Sequence, residues 1–226
     1  MSIELELEKM GENSVRASKD IRSLNERDKN NILKSIIVSL KKNKKNILDA
    51  NSLDISNSEN SLSKAMVDRL MLDDERFDGI LSSIENVISL EDPVGNKLYS
   101  NKRPNGMLVE RVSVPLGVIG IIYESRPNVT VDATVLCLKA GNSVILRGGS
   151  ECFNTNSEMV KSIQGALKEN SVSEHIVQYV STTDRAAVDY MLAKMGKYID
   201  VVVPRGTTTS ISVSYTHLTL PTMDHV

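Results

Sequence analysis

The chain has 226 residues, of which 40% are hydrophobic and 25% charged, as is typical of one or two globular domains. Its formal net charge of −2 and its lack of tryptophan give no reason to expect nucleic-acid binding. No apolar run reaches the ~20 residues of a membrane span, and no signal-peptide pattern or metal-binding cysteine spacing is apparent. We therefore expect a cytoplasmic protein with no metal, nucleic-acid or membrane partner.

Residues 1–96 are predicted to form a layer of helices. Apolar side chains recur at helical spacing over residues 14–51 and again over residues 73–90. The Ser- and Asn-rich residues 51–63 are expected to link these two helical regions. A basic cluster in the first region is interpreted as a solvated helix end, with an anion or partner patch as the alternative. Its members are Lys41, Lys42, Lys44 and Lys45.

Residues 97–115 lack the helical spacing of apolar residues that marks the helical layer. The sequence NKRPNG at 101–106 places a Pro-Asn-Gly turn between two extended stretches, which predicts a β-hairpin. Such a hairpin either extends the edge of the following sheet and pairs with another subunit, or covers the protein as a simple flap. A homo-oligomer formed through residues 97–115 is therefore one of two expectations.

Residues 116–206 repeat a strand–helix–strand pattern. Short apolar runs at 117–123 and 144–146 are typical of buried strands, and the apolar helix between them, 129–140, is closed by Gly141. This alternation predicts an α/β fold with a Rossmann-like parallel sheet, a dinucleotide-binding core and the helical layer in front of it. Further helices are predicted at 154–170 and 184–195, and further strands at 175–180 and 199–203.

The predicted ends of the strands carry the residues that suit an anionic ligand. Parallel sheets bind ligands at the carboxyl ends of their strands, and Arg126, Arg147 and Arg205 are all expected at that edge. The ordinary Gly-x-Gly-x-x-Gly fingerprint of a dinucleotide site is absent after the first strand. Arg147, at the end of the second strand, favours the 2′-phosphate of NADP, although a surface position is equally compatible with the composition. The glycines of GGS at 148–150 let a backbone approach a phosphate closely.

Several ordered blocks of the sequence resemble one enzyme family. The matching blocks are DPVG at 92–95, RVSVPLGVIG at 111–120, YESRPNVTVDA at 123–133, KAGN at 139–142, LRGGSE at 146–151 and VPRG at 203–206. Through these blocks, over roughly residues 10–206, the chain is similar to γ-glutamyl phosphate reductases (glutamate-5-semialdehyde dehydrogenases), which are members of the aldehyde dehydrogenase superfamily. The resemblance implies an aldehyde dehydrogenase-like cofactor domain, a separate catalytic domain and a small oligomerising extension.

The resemblance also implies an activity. Such an enzyme reduces γ-glutamyl phosphate with NADPH to glutamate-5-semialdehyde in proline biosynthesis and releases phosphate, using a cysteine thiolate as nucleophile. Residues 207–226 match nothing in the family and are similar to translated adaptor sequence. We therefore expect an inactive amino-terminal fragment with a disordered tail that lacks the nucleophilic cysteine. The alternatives are a genuine short protein, a non-catalytic nucleotide-binding module and an oligomer-partner fragment.

Candidate site residues follow from the same resemblance and from the positions of residues at the predicted strand ends. Asn128 matches an asparagine whose amide stabilises the oxyanion, and a plain helix N-cap is an equal alternative. Arg126 is a candidate for binding the substrate phosphate or carboxylate, or else an exposed turn residue. Cys152 precedes a helix but is interpreted as a minor loop cysteine, and Cys137 as part of the core. The cofactor-binding candidates are Arg147, Gly148, Gly149, Ser150, Arg205 and Gly206.

Overall fold

A computed structural model describes residues 2–58 and 62–205. Gly206 and the tail at 207–226 lie outside the described residues. In the described part, no helix combines the length and the apolar character needed to cross a bilayer. The helices of the amino-terminal layer are α1 (Ile3–Arg22), α2 (Glu26–Lys42), α3 (Lys44–Ser58), α4 (Lys64–Leu70) and α5 (Asp74–Ser89).

Helix α3 shows where local composition misled the sequence analysis. Residues 51–63 are not simply a linker, because the helix continues as far as Ser58. The Asn51 amide donates to the Leu70 carbonyl at 2.9 Å and accepts from the Leu72 N–H at 2.8 Å. Asp54 is buried and accepts from the backbone N–H of Thr155 at 2.8 Å. These tertiary hydrogen bonds outweigh the weak helix propensity of Ser and Asn.

The remaining elements build a parallel sheet with helical crossovers. All six positions of β3 are buried, as are four of the five in β4, which matches their continuous apolar sequence. The four strands pair in the order β5-β4-β3-β6, all parallel. The predicted α/β fold is confirmed. Its elements are β3 (Val118–Tyr123), α6 (Asn128–Lys139), β4 (Ser143–Arg147), α7 (Phe153–Glu169), β5 (Val177–Tyr179), α8 (Ala186–Lys194) and β6 (Val201–Arg205).

Two hydrophobic cores cover the two faces of this sheet. Ile119 and Ile121 of β3 face the larger core, which contains side chains from α2, α5, α6 and α7. Val118 and Ile122, which alternate with them, face a smaller core with side chains from α1 and α8. The helical layer is therefore packed against the sheet and fixes the position of its strand ends.

Residues before the sheet form the expected hairpin. Strands β1 (Lys97–Lys102) and β2 (Leu108–Val112) pair antiparallel, with the Gly106 N–H donating to the Arg103 carbonyl in the turn. Gly106 has φ +87°, a conformation that favours glycine. The hairpin is a sheet of its own rather than an edge of the parallel sheet. Contact with another subunit through it stays a prediction.

Candidate functional site

The ends of β3 and β6 meet at a cavity lined by three arginines. Parallel pairing places Tyr123 opposite Arg205, and the turn that follows β3 carries Arg126. Arg126 and Arg205 line a cavity of about 310 Å³, and Arg69 of α4 lines the same cavity. We call it the three-arginine cavity. The structure thus brings together two of the arginines selected from the sequence and adds a third.

Arg147 lies in a different cavity, of about 250 Å³, together with Ser150, Thr183 and Arg185. We call it the Arg147 cavity. The Arg147 guanidinium donates from Nη1 to the Gly148 carbonyl at 2.6 Å and from Nη2 to the Thr183 carbonyl at 3.0 Å. Its Nε is buried and has no partner among the described residues. Arg126, Arg147 and Arg205 therefore do not converge on one point, although Glu124 lines both cavities.

Asn128 lines a third cavity, of about 430 Å³, which Arg69 and Arg126 also border. The N-cap position of α6 is Pro127, without a side-chain cap, so the interpretation of Asn128 as an N-cap is wrong. Its Nδ2 donates to Asp132 at 3.0 Å, and Asp132 in turn accepts from the Ser83 hydroxyl at 2.8 Å. This exposed amide is thus held at the cavity wall, and its oxyanion role stays a prediction.

The chain is similar in sequence and in fold to known proteins, although no protein-family model matches it. It is 47% identical over 204 residues to the γ-glutamyl phosphate reductase of Shewanella woodyi, an alignment that covers 90% of this chain and 48% of that protein. It superposes on the crystal structure of γ-glutamyl phosphate reductase from Thermotoga maritima with a TM-score of 0.91 at 41% identity, covering 95% of this chain and 52% of that one.

The resemblance to γ-glutamyl phosphate reductases is confirmed. The chain spans about half the length of these reductases. A probable aldehyde dehydrogenase from Listeria monocytogenes superposes with a TM-score of 0.72 at 16% identity, covering 97% of this chain and 46% of that one. The superposition on the Listeria protein shows that the fold is shared with the aldehyde dehydrogenases.

The turn by which the chain resembles the reductases is held by Glu151, which sequence reasoning had not selected. Ser125 has φ +33°, which is unusual for a residue other than glycine. Its N–H donates to the Glu151 carboxylate at 2.7 Å, and its hydroxyl donates to the same oxygen. Burial opposes ionisation of Glu151, but the hydrogen bonds from Ser125, from the backbone N–H of Glu151 itself and from the Ser150 hydroxyl together outweigh it and hold the pKa of this carboxyl below its usual value. Glu151 therefore ties the turn after β3 to the loop after β4.

Gly148 and Gly149, in the block shared with the reductases, are closely packed by neighbouring side chains. A Cβ on Gly148 would overlap the Asn156 amide and would lie 3.1 Å from the ring of Tyr123. A Cβ on Gly149 would overlap the Glu151 carboxylate. Contacts within the protein thus account for both glycines, and their role in binding a cofactor phosphate stays a prediction. Ser150 is exposed.

Neither cysteine of the chain has the environment that a nucleophilic thiolate requires. Cys152 is fully buried and accepts from the Asn156 amide at 3.1 Å. Burial, with the nearby Glu151 charge, raises the pKa of Cys152 to about 12. Burial also raises the pKa of Cys137 to about 12. Both thiols stay protonated at neutral pH, which makes them unsuitable as nucleophiles.

Proposed function

We propose that the chain is the cofactor domain of an enzyme that reduces γ-glutamyl phosphate with NADPH, yielding glutamate-5-semialdehyde and phosphate in cytoplasmic proline biosynthesis. The observation that carries this proposal is the 47% identity over 204 residues to a reductase of that name. The TM-score of 0.91 to a second such reductase supports it. The activity is proposed for the whole enzyme, since the chain spans about half the length of these relatives.

The Arg147 cavity is our proposed site for the adenosine 2′-phosphate of NADPH. The buried Arg147 Nε has no partner among the described residues and would gain an acceptor from a phosphate oxygen. Ser150, on the same cavity wall, offers a hydroxyl. Gly148 and Gly149 would contribute backbone N–H groups, whereas Arg205, a cofactor candidate in the sequence analysis, lines the three-arginine cavity instead. When bound, NADPH supplies the hydride for the reduction.

The turn after β3 is our proposed contribution to substrate binding. Arg126 and Asn128 line one cavity of about 430 Å³, a size within the usual range for small-molecule sites. The Asn128 amide is held by Asp132 and presents a donor to the oxyanion that forms at the acyl carbon. Arg126 offers its guanidinium to an anionic group of the substrate.

The chain on its own is proposed to be inactive because its two thiols are buried and protonated. The hairpin at 97–115 is proposed as a contact with another subunit, since it exposes large apolar side chains. They include Leu98, Tyr99, Met107 and Leu108.

The proposal is tested with the purified 226-residue chain. We expect NADPH to bind in a fluorescence titration, and we expect no NADP⁺ reduction with glutamate-5-semialdehyde and phosphate. Absence of NADPH binding would contradict the cofactor domain. Turnover that disappears in Cys152→Ser would contradict the assignment of Cys152 as a structural residue.

A further inference from the structure

Arg69 lies at the junction of two cavities. It lines both the three-arginine cavity and the cavity that contains Asn128, as Arg126 also does. The backbone next to it is fixed, because Leu70 is fully buried and its carbonyl accepts from the Asn51 amide at 2.9 Å. Arg69 itself is exposed. Its guanidinium is therefore presented to the cavities from a fixed point of the helical layer.

The other two arginines have the same combination of a fixed backbone and a free side chain. Arg126 lies between Ser125, which Glu151 holds, and the buried Pro127. Arg205 belongs to β6 and pairs in register with Tyr123. Both side chains are exposed. Three elements that are far apart in the sequence thus direct one arginine each to the same cavity.

None of these three guanidinium groups has a hydrogen bond or an ion pair within residues 2–58 and 62–205. The neighbouring Arg76, by contrast, donates to Asp68 at 2.8 Å and to the Met71 carbonyl at 3.0 Å. Three arginines and one carboxylate, that of Glu124, give the lining of the three-arginine cavity a formal charge of +2. The three guanidinium groups line the same cavity and repel one another. An anion with more than one negative charge would offset this repulsion.

We propose that Arg69, Arg126 and Arg205 together hold the phosphoryl group of the acyl phosphate substrate and the phosphate it becomes. This inference rests on the proposed function. A phosphoryl group has several oxygens that accept from planar guanidinium forks, whereas one such fork satisfies a carboxylate. Arg69 and Arg126 border the cavity of Asn128 as well. If the acyl carbon of the substrate lies beside the Asn128 amide, its phosphoryl group points toward the three arginines.

This arrangement also fixes the direction in which the substrate lies. The amino-acid end is directed into the cavity of about 430 Å³, where Asp132 provides a carboxylate near Asn128. The phosphoryl end is directed into the cavity of about 310 Å³. Arg69 is thus a specificity-determining residue that distinguishes the acyl phosphate from unphosphorylated glutamate.

The test is a titration of the 226-residue chain with inorganic phosphate, followed by ³¹P NMR at constant ionic strength set with chloride. We expect saturable binding that Arg69→Ala weakens about tenfold or more, because a charge-assisted hydrogen bond is lost. Arg69→Lys keeps the charge without the fork, and we expect an intermediate loss. Arg103→Ala, which removes an exposed arginine from the hairpin turn, is the matched control and should leave phosphate affinity unchanged.

Several results would overturn the proposal. They are the absence of phosphate binding to the unmodified chain, equal affinity in Arg69→Ala, and an effect of Arg69→Ala on glutamate binding in place of phosphate binding. If Arg69→Ala does not fold, as judged by circular dichroism, Arg126→Ala gives the same decision. NADPH titration of the same samples separates the phosphoryl site from the proposed cofactor domain. If phosphate binds through Arg69 but NADPH does not bind, only the proposed cofactor domain is contradicted.

Discussion

The two cavities at the strand ends hold their arginines in different ways. In the Arg147 cavity, the guanidinium is fixed by the carbonyls of Gly148 and Thr183 before any ligand arrives. In the three-arginine cavity, Arg69, Arg126 and Arg205 are exposed and have no partner among the described residues. A fixed donor loses little entropy on binding, whereas free donors become ordered only with their ligand. The proposed function therefore pairs a preformed cofactor site with an adaptable site for an anion that is bound and released.

The largest expected effect comes from removing Glu151, which supports the turn between the two cavities. Glu151→Ala leaves the N–H and the hydroxyl of Ser125 without their acceptor, so we expect a loss of about 2–3 kcal/mol in the free energy of unfolding. Urea denaturation measures it. Glu158→Ala is the matched control, because its contact with Lys161 is a surface ion pair worth less than about 1 kcal/mol. Equal losses of unfolding free energy in the two variants would show that Glu151 does not stabilise the turn.

The next effect concerns the cofactor preference. Arg147→Ala removes the charged donor that we propose for the 2′-phosphate, and we expect it to weaken NADPH binding by about 1.5–3 kcal/mol while NADH binding changes little. Fluorescence titration with both nucleotides measures the difference. An equal loss for NADPH and NADH would contradict the 2′-phosphate role of Arg147.

A somewhat smaller effect is expected from filling the space at Gly148. Gly148→Ala forces the Asn156 amide and Tyr123 to move, and we expect a cost of about 1–3 kcal/mol in unfolding free energy. Gly79→Ala is the control, because nothing lies within 4 Å of a Cβ at that position in α5. We expect Gly79→Ala to stabilise the protein by about 0.5–1 kcal/mol. Thermal unfolding of both variants gives the comparison, and a neutral Gly148→Ala would contradict the packing argument.

The smallest effect is a dependence of stability on pH. The pKa of Glu151 is lowered in the folded protein, so its contribution is fully present above the ordinary value of 4.5 and is lost as pH falls through the lowered value. We expect Glu151→Gln to flatten that part of the stability curve, since an amide does not titrate. Urea denaturation between pH 3 and 7 in both proteins checks this. Parallel curves would show that other groups cause the acid sensitivity.

Local patterns were enough to predict most of the sheet. The apolar runs at 117–123 and 144–146 match β3 and β4 closely, because strands buried on both faces must be apolar at every position. The predicted helix at 73–90 matches α5, whose Asp73 cap and apolar spacing are both local signals. The length of α3 was not predictable, since the partners of its buried Asp54 lie about a hundred residues away in the chain.

The site was predictable only in part. Arg126 and Arg205 were selected because strand ends are recognisable in a sequence, but the order of the strands is not. In the order β5-β4-β3-β6, the strands of Arg147 and Arg205 lie on opposite sides of β3, which separates Arg147 from the other two. Arg69 carried no local signal, because it reaches the site through the packing of a short helix. The partner of Ser125 was likewise hidden in a long-range contact.

The most direct test measures how each of the two arginine variants binds the nucleotides and inorganic phosphate. NADPH, NADH and inorganic phosphate are titrated separately into the unmodified chain, Arg147→Ala and Arg69→Ala. We expect Arg147→Ala to lower the preference for NADPH over NADH about tenfold or more and to leave phosphate affinity unchanged. We expect Arg69→Ala to weaken phosphate binding about tenfold or more and to leave the preference for NADPH over NADH unchanged. If each variant weakens both ligands to the same degree, the two cavities are one site and the account is wrong.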